Sequence, residues 1–219
     1  MVQTIQPNVE TGKTRFFFIR HGQTEHNIRK ILQGHLDIPI NDEGHSQASQ
    51  LGSHIATLPL DRIYSSDLTR CRETLAHILE ARGEDEKKVI FTSDLRERHM
   101  GEIQGMHIDD AIKHGEKHGK HYREFGETSD EFEARLQPFL KKMKNEVREN
   151  QCKNVAVISH GGTIRAVLKT YGVPEAGIVF NTSVTVIDFD WETDSMDVKL
   201  MGDTEHLGKQ MNVADQRVR

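Results

Sequence analysis

Two short runs, Phe16-Phe17-Phe18-Ile19 and Val155-Ala156-Val157-Ile158, are apolar at every position. That is the pattern of strands buried on both faces of a parallel sheet. They predict strands over Arg15–Ile19 and Asn154–Ile158. Shorter apolar segments predict strands at Arg62–Ser65 and Val89–Phe91, and Val184–Phe189 with Met196–Met201 predict a closing pair. Between them the period changes to that of helices. Ala48, Leu51 and Ile55 share one face of a helix from Asn41 to about Thr57, stopped by Pro59. Leu68, Cys71, Leu75 and Ile78 stripe a second, capped by Ser66-Asp67 and closed by Gly83. Phe132, Leu136, Phe139, Leu140, Met143 and Val147 stripe a third over Glu127–Asn150, in which Pro138 predicts a kink or break. A fourth runs over Thr163–Tyr171.

Strands alternating with helices imply an α/β domain over 1–219, with a mostly parallel central sheet, helices on both faces and an antiparallel edge. Residues 22–40 are irregular, broken by Gly34 and Pro39. Residues 105–126, rich in Gly, His and Lys with weak periodicity, read as a mobile, lid-like insert with room for one short helix. Residues 1–14 and about 203–219 read as peripheral polar tails.

Composition narrows the function. Net charge is −5, with 29 % charged residues of both signs. A general nucleic-acid or acidic-membrane surface is excluded, so any anionic ligand must be met by local donors. Cys71 and Cys152 are the only cysteines; they make neither a disulfide framework nor a zinc-type spacing, which fits a reducing interior. The start of the chain has no apolar signal core, and no apolar run approaches the roughly 20 residues of a membrane span. A cytoplasmic protein is expected, with a nuclear pool left open.

Both buried runs end on a polar residue, a histidine and a glycine: Arg20-His21-Gly22 and Ser159-His160-Gly161-Gly162. The carboxyl ends of parallel strands are where such sheets bind ligands. Two imidazoles meeting there point to phosphoryl chemistry, which needs a nucleophile, positive charge around the oxygens and a proton for the leaving group. His21, on a tight turn, is placed for attack. Arg20 beside it, and Arg70 one turn into the helix starting at Ser66, can grip phosphate oxygens as forks. Asn27 adds an amide donor. His160, followed by Gly161 and the start of a helix, offers an imidazole and backbone amides to the anion. Glu97, between Arg96 and Arg98, can give a proton to a departing alkoxide and then help water attack. No carboxylate or second histidine stands at ligand spacing beside His160, and no metal or other cofactor is called for. Each residue alone has an ordinary structural alternative, such as a strand cap, a turn or a surface ion pair.

In order along the chain, Arg20-His21-Gly22-Gln23-Thr24-Glu25-His26-Asn27, Ser65-Ser66-Asp67-Leu68-Thr69-Arg70, Leu95-Arg96-Glu97 and Ser159-His160-Gly161-Gly162 resemble the blocks of the histidine phosphatase, or phosphoglycerate-mutase-like, superfamily. Gly126-Glu127-Thr128 resembles a block of its phosphatase branch, and Asn181-Thr182-Ser183 one placed near its site. The resemblance covers about Arg15 to Met201. It implies a three-layer α/β/α sandwich and metal-independent chemistry. His21 would be the phosphorylated nucleophile, Arg20, Asn27, Arg70 and His160 the phosphate pocket, and Glu97 the proton donor. Gln33, Gly34 and Arg98 would stand at the substrate rim. It is similar above all to fungal broad-specificity phosphatases of the superfamily, whose substrates are small phosphorylated metabolites, and a homodimer is one option.

The mutases of the superfamily carry a longer basic insert that shields the phosphoenzyme; here the insert is short, which favours hydrolysis. Lys113, Lys117, Lys120 and Arg123 read as a solvated face, with contact to a second anionic group as the alternative. A cofactor-dependent mutase, and a phosphate-binding scaffold whose catalysis has lapsed, are the competing readings.

Overall fold

The computed structural model describes residues 5–173, 177 and 179–208. Strands β1 (Lys13–Arg20), β2 (Arg62–Ser66), β3 (Val89–Thr92), β4 (Asn154–Ser159), β5 (Val184–Asp190) and β6 (Ser195–Asp203) form one sheet in the order β3-β2-β4-β1-β5-β6. The first four in that order are parallel; β5 lies antiparallel to β1, and β6 antiparallel to β5. Helices α1 (Glu25–Ile28), α2 (Asp42–Ile55), α3 (Thr69–Arg82), α4 (Ile108–Lys117), α5 (Ser129–Glu149) and α6 (Gly161–Thr170) connect them. The α/β sandwich with its antiparallel edge is as the sequence pattern implies.

The alternation of strand side chains builds the layers. Phe16, Phe18, Val155 and Val157 point to one face, where α5 and α6 supply Leu136, Phe139, Leu140, Met143, Ile164, Val167 and Leu168. Phe17, Ile19, Ala156 and Ile158 point to the other, against Leu51 and Ile55 of α2 and Cys71, Leu75 and Ile78 of α3. Both faces of the central strands are therefore apolar, which explains runs without alternation. Helix α5 opens on a reciprocal Thr128–Glu131 cap and runs unbroken through Pro138, so the expected break does not occur.

Three further expectations change. The leader is pinned where the structure describes it: Ile5 is in the core, and the Asn8 N–H donates to Asn154 Oδ1 at 2.6 Å. At the other end, β6 continues to Asp203 and a 3-10 turn at Glu205–Leu207 buries Leu207; residues 209–219 lie outside the described part. The insert also has structure of its own. Ala111 of α4 packs with Leu32, Ile103 and Tyr122 in a small separate core, which anchors a segment read as mobile.

Candidate active site

The register of β1 and β4 brings the two histidines together. Arg20 pairs with Ser159, so His21 and His160 each stand one residue past the same rung, and their rings lie 5.2 Å apart at 58°. The His21 N–H donates to the Ser159 carbonyl at 3.0 Å, locking the ends. Both imidazoles are buried. Burial first, and then the Arg70 charge, holds each well below the ordinary histidine range, so both are neutral.

Neutrality leaves a tautomer to fix, and hydrogen bonds fix it. His21 Nδ1 is 2.7 Å from the Gly22 carbonyl, which can only accept. Nδ1 therefore carries the proton, and Nε2 keeps its lone pair. For His160 the order is reversed. Arg70 Nε can only donate, at 3.2 Å to Nδ1, so the proton sits on Nε2 and reaches Ser66 Oγ at 2.9 Å.

Arg70 is 1 % exposed. Its cap differs from the expected one: Asp67 is drawn away by a two-pronged pair with Arg96 at 2.7 Å, and α3 begins at Thr69, whose N–H donates to Asp37 Oδ1. Arg70 thus stands in the first turn. Its Nη1 and Nη2 donate to the Leu36 and Gly34 carbonyls at 2.7 and 2.8 Å. Gly34 presents that carbonyl with φ +49°, and a Cβ there would collide with Gln104. Among the described residues no carboxylate is ion-paired with Arg70, so a buried positive charge faces the cavity without a direct counter-ion, with Glu97 and Asp37 acting on it only from a distance. Arg20 lies alongside; its Nη1 donates to the Val179 carbonyl at 2.7 Å, and burial with the neighbouring Arg165 charge lowers its pKa to about 10.

Asn27 ends up here through α1. It completes a reciprocal cap with Thr24, and its Oδ1 accepts from the Thr24 N–H and hydroxyl and from Asn181 Nδ2. With Oδ1 so engaged, the Nδ2 amide is the group left for the cavity, which Asn27 lines. Glu97 comes from the loop after β3. Its Oε1 accepts from the Arg98 N–H at 2.9 Å and its Oε2 from the Gly162 N–H at 2.8 Å. A Cβ on Gly162 would overlap this carboxylate, so the second glycine after His160 is what lets an acid side chain approach α6.

Arg20, His21, Asn27, Arg70, Glu97 and His160 line one cavity of about 340 Å³. Gln33, Gly34 and Arg98 stand at its wall as well. Gly161 does not; Gly162 is the glycine of this turn that lines it. Of the insert's basic residues only Arg123 reaches the wall.

Sequence reasoning missed two supports. Arg135 of α5 grips Glu127 with both prongs at 2.8 and 2.9 Å and donates to the Asp94 and Glu97 carbonyls, fixing the loop that carries Glu97. Arg165, one turn into α6, lines the cavity beside Arg20. The signal for Arg165 was its place five residues after His160, on the first turns of the helix; for Arg135 no local signal exists, since the Asp94 and Glu97 carbonyls it fixes are distant in sequence.

Comparison with known proteins assigns the chain to a family. The family profile of the histidine phosphatase superfamily, branch 1, matches residues 16–204. The broad-specificity phosphatase YOR283W of Saccharomyces cerevisiae is 44 % identical, over 97 % of this chain and 96 % of its own. A Schizosaccharomyces pombe protein named "Probable phosphatase C1687.21" is 35 % identical, over 88 % of this chain and 95 % of its own. The crystal structure of a phosphoglycerate mutase from Bacillus anthracis superposes with TM-score 0.81 over 90 % of this chain and 96 % of that one, at 23 % identity, a likeness of fold. The chain belongs to the histidine phosphatase superfamily, and its class is that of the phosphoric monoester hydrolases.

Proposed function

We propose that the protein hydrolyses small phosphorylated metabolites through a phosphohistidine on His21. The observation that carries this reading is the His21 Nδ1–Gly22 carbonyl bond, which leaves Nε2 unprotonated in a cavity walled by Arg20 and Arg70. Nε2 attacks phosphorus and the bond to the ester oxygen breaks. Glu97 gives its proton to that oxygen, and the alcohol leaves. Arg20, Arg70 and the Asn27 amide hold the phosphoryl oxygens, and His160, which accepts from Arg70 Nε and donates to Ser66 Oγ, orients the Arg70 guanidinium beside His21, so the positive charge that the transition state needs comes from the chain itself and no metal enters the scheme. Water, deprotonated by the Glu97 carboxylate, then attacks phosphorus and frees His21 and phosphate. Gln33 Oε1, buried without a hydrogen-bond partner, is positioned to accept from a substrate hydroxyl. A cytoplasmic setting suits Cys71 and Cys152, which are both buried and unbridged.

Turnover of nitrophenyl phosphate by His21→Ala tests the assignment. A loss of about 10³-fold or more is expected, because removing a nucleophile abolishes the covalent route. Activity within tenfold of the parent protein would reject His21 as nucleophile. Interconversion of 2- and 3-phosphoglycerate that needs a bisphosphate primer would favour the mutase reading instead.

A further inference from the structure

His54, exposed in the last turn of α2, faces the end of β6 and the turn that follows. One ring nitrogen of His54 and one carboxylate oxygen each from Asp203 and Glu205 lie within 4.8 Å of one another, the one such trio of ligand side chains among the described residues. The other histidine pairs are committed elsewhere. His45 Nδ1 and His77 Nε2 bond each other at 2.9 Å, and His118 Nδ1 donates to the His114 carbonyl. Asp203 and Glu205 stand side by side with no lysine or arginine in ion-pair range among the described residues. A shallow hollow lined by Ser49, Gln50, Ser53, His54 and His206 opens the place to solvent.

A neighbouring imidazole gives a second, independent observation. The His206 ring lies 6.0 Å from that of His54, and its Nε2 is 3.0 Å from Thr182 Oγ1. The Thr182 hydroxyl spends its proton on the Asn181 carbonyl at 2.8 Å, so it accepts from His206 Nε2–H. Nδ1 therefore carries a bare lone pair, and it is buried without a donor. One nitrogen oriented by a bond and the other open is the arrangement of a metal-binding histidine.

We propose that His54, Asp203 and Glu205 bind a divalent transition-metal ion, with His206 next to it. An imidazole nitrogen with two carboxylates suits zinc better than the all-oxygen shells of calcium or magnesium. The ion would join α2 to the end of β6. His206 extends that join to Thr182, whose N–H donates to the Arg20 carbonyl at 3.0 Å, so the clamp supports the segment that holds the end of β1. The site lies apart from the catalytic cavity and takes no part in the phosphoryl step.

Calorimetric titration of chelator-stripped protein with zinc chloride, read together with thermal melts, tests this. One ion per chain is expected. His54→Ala and Glu205→Gln, both at exposed positions, should each weaken it about 10-fold or more. At zinc about 100-fold above the parent's dissociation constant its melting midpoint should rise by about 5–10 °C, and that of His54→Ala by about half as much or less. His21→Ala, and a variant with His45→Ala, His77→Ala, His114→Ala and His118→Ala together, should bind as the parent does. Circular dichroism confirms that each variant is folded. Absence of stoichiometric binding overturns the site. So does binding of parental affinity in His54→Ala and Glu205→Gln, or its loss in His21→Ala or the four-histidine variant.

Discussion

At the scale of the residue, the site is a set of hydrogen bonds that assign protons. Carbonyl Gly22 and guanidinium Arg70 cannot exchange donor and acceptor roles, so they impose opposite tautomers on two imidazoles 5.2 Å apart. Glu97 is held differently, by two backbone N–H groups, one of them at the start of α6. These bonds leave it able to face the ester oxygen, and they predict a kinetic signature. Glu97→Gln keeps the shape and removes the transferable proton. On alkyl phosphates, whose leaving oxygen needs protonation, kcat/KM, which reports the phosphorylation half-reaction and not the shared hydrolysis of the phosphohistidine, should fall about 10²–10⁴-fold. On nitrophenyl phosphate, whose leaving group departs as the anion, the loss should be far smaller. Steady-state kinetics on both substrates decides it, and equal losses would remove Glu97 from the role of acid.

At the scale of the element, the strands position His21 and His160 directly, whereas Glu97 depends on a loop. What makes that loop rigid is α5, through Arg135. Its two-pronged grip on Glu127 and its bonds to the Asp94 and Glu97 carbonyls tie helix and loop together. Arg135→Ala should cost about 2 kcal/mol in urea unfolding, below the full price of breaking a buried pair because its side chain is 21 % exposed. It should also lower kcat more than it raises KM, since the phosphate pocket is untouched while the acid is misplaced. A variant that unfolds earlier but keeps its kcat would show the grip to be structural only. The contrast also shows what a sequence can disclose. His21 and His160 were legible because doubly buried strands write continuous apolar runs, and the residue after each run must emerge at the ligand-binding edge. Helix α4 was legible only as room for one short helix in the insert, without its bounds or its anchoring, since only Ala111 and Gly115 of it are buried and the core it joins is assembled from Leu32, Ile103 and Tyr122. Arg135, likewise, means nothing until the fold puts it under Glu97. The cap of α3 failed for the same reason: Asp67 has a better partner in Arg96, and Asp37 arrives from another loop.

At the scale of the whole molecule, a chain of net charge −5 concentrates arginines around one cavity and keeps neutral imidazoles beneath them. That arrangement ties stability to pH. Unfolded, His21 and His160 take up a proton near pH 6.5. Folded, both are held well below that value by burial and by Arg70. Below about pH 6.5 the unfolded chain therefore binds more protons than the folded one, so stability falls as the pH falls, and continues to fall until the folded-state values are reached. Each imidazole contributes at most about 1.4 kcal/mol per pH unit in that window. His26 and His35 are lowered too, so the slope of the parent protein sums several groups. The carboxylates Asp67 and Glu127, depressed by Arg96 and Arg135, add their own loss only in more acidic solution, below about pH 4.5. Urea unfolding between about pH 7 and 5 therefore isolates the histidines. His21→Asn should flatten the curve by up to one proton's slope, and the parent should regain stability at low pH when phosphate fills the cavity, because a bound anion favours the folded state. Identical slopes for the parent and His21→Asn would mean that His21 titrates as an ordinary exposed imidazole, and the neutral nucleophile would have to be given up.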